Sequence, residues 1–264
     1  MTIRWIVKKS RVLLSVYYAY MVEYRAELLF WMLSGSLPLI LMGVWIEAAG
    51  TGQFGLTSLE FARYFVTVFL VRQFTLVWVV WEFEKEVVQG KLSLRLLQPI
   101  DPVWHHVAGH LSERVARLPF LLILIGLIYA LYPQVFVWPG WAAVLWGVAA
   151  TLAAFLLRFL LQYSLAMMAF WTERASALEQ FFFLFYLFFS GYIAPLNVFP
   201  ESMLRIVQWT PFPYVLYFPA AIFVGFPVDL GRGFLVIALW CIGLFFVNRL
   251  LWRRGLKQYS GMGA

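Results

Sequence analysis

Residues 140–170 read GWAAVLWGVAATLAAFLLRFLLQYSLAMMAF, with Arg158 the one formally charged side chain in the stretch. A spanning helix needs about 20 mostly apolar residues, and this run exceeds that by enough to tilt or kink. Five more runs of similar character flank it, at about Leu28–Ala49, Leu59–Trp81, Leu118–Tyr132, Ala177–Ala194 and Gly233–Leu251. The chain has 264 residues, 63% of them hydrophobic and 12% charged, whereas a water-soluble domain is nearer half apolar and a quarter charged. A soluble core of this size cannot hide so much apolar surface, so lipid is the solvent. Aromatics make up 20% of the chain, and the 13 Trp and 13 Tyr suit membrane interfaces. The expected fold is all-α, a polytopic membrane protein with six transmembrane helices forming one domain over 1–264.

An even number of spans puts both ends of the chain on one side. Lys and Arg gather there: Arg4, Lys8, Lys9, Arg11 and Arg25 at the start, Lys85, Lys91, Arg95, Arg114 and Arg117 between spans two and three, Arg174, then Arg249, Arg253, Arg254 and Lys257. The opposite side holds Arg205 and Arg232. The positive-inside rule therefore predicts both termini cytoplasmic. The net charge of +7 reflects this bias rather than nucleic-acid binding. Nothing after the basic N-terminus reads as a cleaved signal. Cys241, the single cysteine, reads as a small buried side chain.

Residues 1–25 are too polar to span. Arg4, Lys8 and Arg11 share one helical face, while Ile6, Leu13, Tyr17 and Tyr20 share another. This predicts an amphipathic helix lying in the interface, its cations near anionic headgroups.

Residues 82–117 read as the largest cytoplasmic loop. It opens with Glu82, Glu84 and Glu86, followed by Gly90-Lys91-Leu92, Leu96-Leu97, Pro99 and Asp101-Pro102. The leucines predict one side of a short helix that the prolines stop, suited to docking a cytoplasmic partner. Residues 192–232 are apolar but broken by Pro195, Pro200, Pro211, Pro213, Pro219 and Pro227. Lipid offers no partners for backbone groups freed by proline. The segment should therefore form short helices packed on protein near the outer face, one of them over Glu201–Trp209.

The chain carries no nucleotide-binding motif of its own. Gly90-Lys91 is followed by Leu92 where a phosphate loop needs Ser or Thr, and Lys85 stands where its first glycine belongs. His106 and His110 are spaced i, i+4, but Val107 follows His106 where a catalytic zinc helix has glutamate, so interfacial packing is expected rather than a metal. No Ser/His/Asp or paired-carboxylate constellation marks an intramembrane hydrolase. Arg72 and Arg158 fall mid-span, where an arginine costs roughly 2.5–3.5 kcal/mol on insertion scales and must face protein or water. They read either as parts of a translocation path or subunit seam, or as internal hydrogen-bonding groups. Arg63 lies nearer the outer end, on nearly the opposite helix face from Arg72. The aromatic run 181–189 supplies Phe185 and Phe189 as path-lining candidates.

Three stretches together resemble a permease subunit of the ABC-2 type exporter family: Gly90–Pro102; Pro195-Leu196-Asn197-Val198-Phe199-Pro200 with Leu204 and Pro211; and Arg254-Gly255-Leu256-Lys257-Gln258-Tyr259-Ser260 ending Gly263-Ala264. The last is similar to permeases of viologen exporters. The resemblance covers essentially the whole chain. It implies a bacterial inner-membrane location, a second identical or related permease subunit, and separate ATPase subunits that carry ATP and Mg. In that scheme Gly90, Lys91, Leu92, Leu96, Leu97, Pro99, Asp101 and Pro102 form the coupling region, and Pro195, Phe199, Pro200 and Pro211 shape the outer segment. The expected activity is outward movement of an amphiphilic or cationic small molecule. The competing class is a secondary transporter or channel that needs no ATPase. It would require an acidic relay within the spans, and Glu47, Glu60 and Glu179 all fall near span ends.

Overall fold

A computed structural model describes residues 3–259, with side chains from Val7 onward. Arg4, Ile6, Ser260, Gly263 and Ala264 of the patterns above fall outside the described side chains. Every regular element among the described residues is helical, with no strand. The helices are α1 (Ile3–Glu23), α2 (Arg25–Ser34), α3 (Leu37–Ala49), α4 (Ser58–Thr75), α5 (Val79–Val88), α6 (Leu92–Leu96), α7 (Val103–Leu131), α8 (Trp141–Ala166), α9 (Ala175–Phe189), α10 (Glu201–Val207), α11 (Tyr217–Val224) and α12 (Leu230–Gln258).

Five stretches are long and apolar enough to cross a membrane: 25–49, 58–88, 103–131, 141–170 and 230–258. The expected fifth span is realised as the shorter α9. Its 15 residues rise roughly 22 Å, less than the ~30 Å hydrocarbon core. Gly191, at φ +84°, turns the chain directly after it.

The centre of the bundle is the 58–88 stretch. Two thirds of its most apolar window (67%) is buried in protein, against 17% for 25–49 and for 230–258. It starts at a capping box, in which the Thr57 hydroxyl accepts the Glu60 N–H and the Glu60 carboxylate accepts the Thr57 N–H at 2.7 Å. Phe61, Tyr64, Phe65 and Val68 then enter a core shared with α8, α11 and α12.

Two of the crossing stretches are broken. The first breaks at Gly35-Ser36, ahead of Pro38 in the first turn of α3. Arg72 presses on that break, and a Cβ at Gly35 would collide with its guanidinium. The second breaks over 76–78, between α4 and α5.

The segment 82–117, read from sequence as a loop, is mostly helix. Glu82, Glu84 and Glu86 ride on α5, and α7 starts fifteen residues before the expected Leu118. Only 89–102 connects them, with α6 in its middle. The sequence hides this because His106, His110, Glu113 and Arg117 look too polar for a span. In the fold each of them meets a side-chain partner.

The N-terminal helix lies antiparallel along the first half of α7. Ser112 Oγ donates to the Leu14 carbonyl at 3.0 Å, and the Tyr17 hydroxyl meets His105 Nδ1 at 3.2 Å. Lys9, Leu13, Tyr17 and Met21 are its half-buried stripe, while Val12, Val16 and Tyr20 remain exposed. Tyr20 thus leaves the apolar face that the sequence assigned it to share with Leu13 and Tyr17.

The proline-rich segment folds into the short α10 and α11. Pro200 precedes α10, which ends at Val207, two residues short of the expected Trp209. α11 is buried against α4 and α8, where Gly147 leaves room for the Phe223 ring.

Candidate functional site

The α5–α6–α7 hairpin is organised by a chain of ionisable side chains. Arg95 of α6 pairs with Glu86 at 2.6 Å. Glu86 lies 3.5 Å from His106 Nε2, and His106 Nδ1 lies 3.4 Å from Glu82. The same Glu82 oxygen is 3.6 Å from His110 Nε2, and His110 Nδ1 is 3.6 Å from Glu113. Glu113 pairs with Arg117, which reaches Gln73 Oε1 of α4 at 3.5 Å. The pattern follows from helical spacing: Glu82 and Glu86 form one i, i+4 stripe, and His106, His110, Glu113 and Arg117 form the stripe facing it. Sequence reading named both the histidines and the acidic cluster of Glu82, Glu84 and Glu86, but not that they face each other. The matched stripes were the signal. Among the described residues no group of three or more His, Cys, Asp or Glu is arranged to hold a metal ion.

Arg114, on the adjacent face of α7, holds the break between α4 and α5. Its Nε donates to the Phe74 carbonyl and its Nη2 to the Leu76 carbonyl, each at 2.6 Å, while Nη1 donates to its own helix at His110. The guanidinium stacks on Phe155 with 4.1 Å to the ring centroid. Carbonyls freed by the break are thereby satisfied without water, as a lipid setting demands.

The coupling residues named from sequence occupy one small structure with two sides. Gly90 takes a left-handed φ of +69° that ends α5 and turns the chain. Leu92 is fully buried among Phe83, Met167 and Phe170. Leu94 and Leu97 face outward at 66% and 83% exposure, with Leu96 partly so and Lys91 and Pro99 exposed beside them. Pro102 is buried. Asp101 accepts the Val103 N–H at 3.1 Å and pairs with Arg249 of α12 at 3.0 Å. Ser93 meets the Tyr259 hydroxyl at 3.1 Å. Tyr17 ties in α1: its hydroxyl accepts from Arg95 at 3.3 Å, and burial pushes the phenol above its usual range, so it stays protonated. α6 is thus tied to α1 through Tyr17, to α5 through Glu86 and to the end of α12 through Tyr259, with its outward leucines exposed.

Arg72 and Arg158 are brought to one feature from different helices. Arg158 is buried with its Cζ 4.3 Å from the Tyr186 ring centroid, and Arg72 lies 5.4 Å from that of Tyr192. The two tyrosine rings are 5.9 Å apart. Nη1 of Arg158 and Nε of Arg72 have no hydrogen-bond partner. Beside Arg158, Gln162 donates to Glu179 at 2.9 Å. Phe185 and Phe189 ring Phe212, which lines the small pocket at Arg158 and Tyr186, while Phe181, Leu184 and Phe188 on α9 are exposed.

At the opposite end from the hairpin, the buried Tyr64 hydroxyl donates to the Gly191 carbonyl at 2.6 Å, and the Tyr217 N–H donates to the Ser190 carbonyl. Pro195 precedes a 3-10 turn over Leu196–Val198, Phe199 follows that turn, and Pro211 precedes another over Phe212–Tyr214. Tyr217 Oη donates to Asn197 at 2.6 Å, and burial pushes its phenol up to about 12.

An all-helical set of described residues with several lipid-length helices, a docked N-terminal helix and a hairpin bearing exposed leucines is a polytopic membrane protein. The family model described as ABC-2 family transporter protein matches residues 14–263, and the chain belongs to that family. It is the permease component of an ABC transporter rather than the nucleotide-binding one, and the family implies association with ABC ATPase subunits. No curated protein and no solved structure matches the chain.

Proposed function

We propose that this chain is the membrane subunit of an ATP-driven exporter, with both termini and the α5–α7 hairpin on the cytoplasmic side of a bacterial inner membrane. It works beside a second identical or related permease, and ATP and Mg reside on the partner ATPase subunits. The observation that carries this reading is the two-sided α6. Leu92 anchors it, Arg95 ties it to Glu86, and Leu94 and Leu97 stand free to enter a partner's groove. A push on those leucines reaches α5 and α7 through paired side chains rather than through a soft loop. The excess of Lys and Arg at this end supports the cytoplasmic assignment.

The cargo we propose is an amphiphilic or cationic small molecule, as in the viologen-exporter permeases that the tail resembles. Arg72 and Arg158 at the tyrosine pair, with the exposed face of α9 near Phe185 and Phe189, are the proposed path or subunit seam. An ATPase-free transporter fits less well. The ionisable chain stops at Arg117 and Gln73; the charged groups next along, Arg72 and Arg158, are cations, and the rest of the α4 core is aromatic and aliphatic.

Co-purification with the cognate ATPase tests the docking role. Leu94→Asp and Leu97→Asp should each lower ATPase recovery at least severalfold while the permease keeps its size-exclusion profile. Full recovery in both variants would sink the proposal. Arg158→Ala should impair export with the complex intact, and loss of the folded complex instead would make that residue structural.

A further inference from the structure

A cavity of about 530 Å³ runs between α4 and α8, in the size range of small-molecule sites. Val66, Leu70, Leu152 and Phe155 make up much of its wall, and Leu152 is 63% exposed, so the slot opens sideways to the bilayer. The two hydroxyls on its wall are already spent. Thr67 donates to the Arg63 carbonyl at 2.7 Å, and Thr151 to the Gly147 carbonyl at 2.8 Å.

Two arginines line the cavity, and no acidic side chain does. Arg114, at the hairpin end, has its donors committed to the Phe74, Leu76 and His110 carbonyls. Arg63, at the other end, does not. Its Nη2 reaches the Gln134 carbonyl at only 3.4 Å, and its buried Nε has no hydrogen-bond partner. From Arg63 to Phe74 the slot follows α4 for roughly 16 Å of helical rise.

A long apolar slot ending in a weakly hydrogen-bonded cation, whose acidic neighbour Glu60 is engaged by Thr57, matches an alkyl chain carrying an anionic head. We propose that this cavity binds a single-chain anionic amphiphile of the fatty-acid class, its carboxylate on Arg63 and its chain running toward Phe155. Guanidinium and carboxylate make a charge-assisted pair, strengthened by the surrounding hydrocarbon. A cationic amphiphile would instead set like charge against both arginines. The site concerns occupancy of this chain alone and does not rest on the transport reading.

The test uses the full chain in phosphatidylcholine nanodiscs, without ATPase or ATP. The probe is a palmitate analogue with a mid-chain diazirine and a terminal alkyne. Crosslinks should map to 66–74 and 148–155. Palmitate should compete, and hexadecyltrimethylammonium should not. Arg63→Ala should cut labelling about tenfold, the equivalent of one charge-assisted hydrogen bond, and Arg63→Lys should restore most of it. Leu152→Trp, which fills the slot and leaves Arg63 in place, should also abolish labelling and serves where Arg63→Ala fails to fold. Undiminished labelling in both variants, equal competition by the cationic amphiphile or by anionic phospholipid, or labels spread over the exposed face of α12 would overturn the proposal. Because no transport is measured, such a failure leaves the permease reading untouched.

Discussion

At the hairpin end, ionisable side chains follow one another from Arg95 through Glu86, His106, Glu82, His110 and Glu113 to Arg117. At the proline-rich end, tyrosine hydroxyls bond to backbone carbonyls and aromatic rings fill the space between them: Tyr64 on Gly191, Tyr214 on the Gln208 carbonyl, and Phe218 edge-on to Phe234. Both ends bury polar groups, but with different consequences. A tyrosine–carbonyl bond is local, and losing it costs one interaction. A chain of ionisable groups is shared, so removing one of its buried members leaves a partner unpaired on each side of the gap. The hairpin end is the stiffer coupling and the more brittle one. Its brittleness falls at the face proposed to dock the ATPase.

Substitutions at the two ends test this contrast, and the largest effect is expected at the hairpin. Arg114→Ala strips partners from the Phe74 and Leu76 carbonyls and should cost roughly 3–5 kcal/mol. The expected result is little folded protein in mild detergent by fluorescence-detected size exclusion. Gly191→Ala, at the other end, forces a Cβ into a left-handed φ and against the Tyr64 hydroxyl. It should lower stability by roughly 2–3 kcal/mol, read as a drop in thermal midpoint.

Glu86→Ala should cost about 2 kcal/mol, and the double variant with Arg95→Ala should cost less than the sum of the singles, since the second change removes the orphaned partner. Additivity in that cycle would break the idea of a shared chain. Tyr64→Phe should cost about 1 kcal/mol and show no coupling to Glu86→Ala. Leu97→Asp should fall within about 0.5 kcal/mol of the parent in stability, being surface-exposed, and act only on partner binding.

Most of the fold was legible from the chain, because long apolar runs and prolines are local signals. The limits of α8 and the short α10 lie close to where hydrophobicity and proline put them. The largest error has one cause. Polar residues at 82–88 and 103–117 read as a loop because each in isolation is too costly to bury, and only pairing across two helices removes that cost. The functional residues divide in the same way. Leu97 and Pro99 are candidates their motif offers, whereas the partner of His106 depends on which helix lies opposite. Arg72 and Arg158 were flagged by their depth, but the tyrosine pair that both approach joins α9 to the segment after it and leaves no local mark.

The clamp formed by Arg114 also sets an order of events. The carbonyls it holds, at Phe74 and Leu76, leave the ribosome 40 and 38 residues before it does. At about 5–20 residues per second, that interval is roughly 2–8 seconds of synthesis. During it the second span has open backbone groups and no guanidinium to close them. The second and third spans therefore reach their lipid-compatible pairing only together.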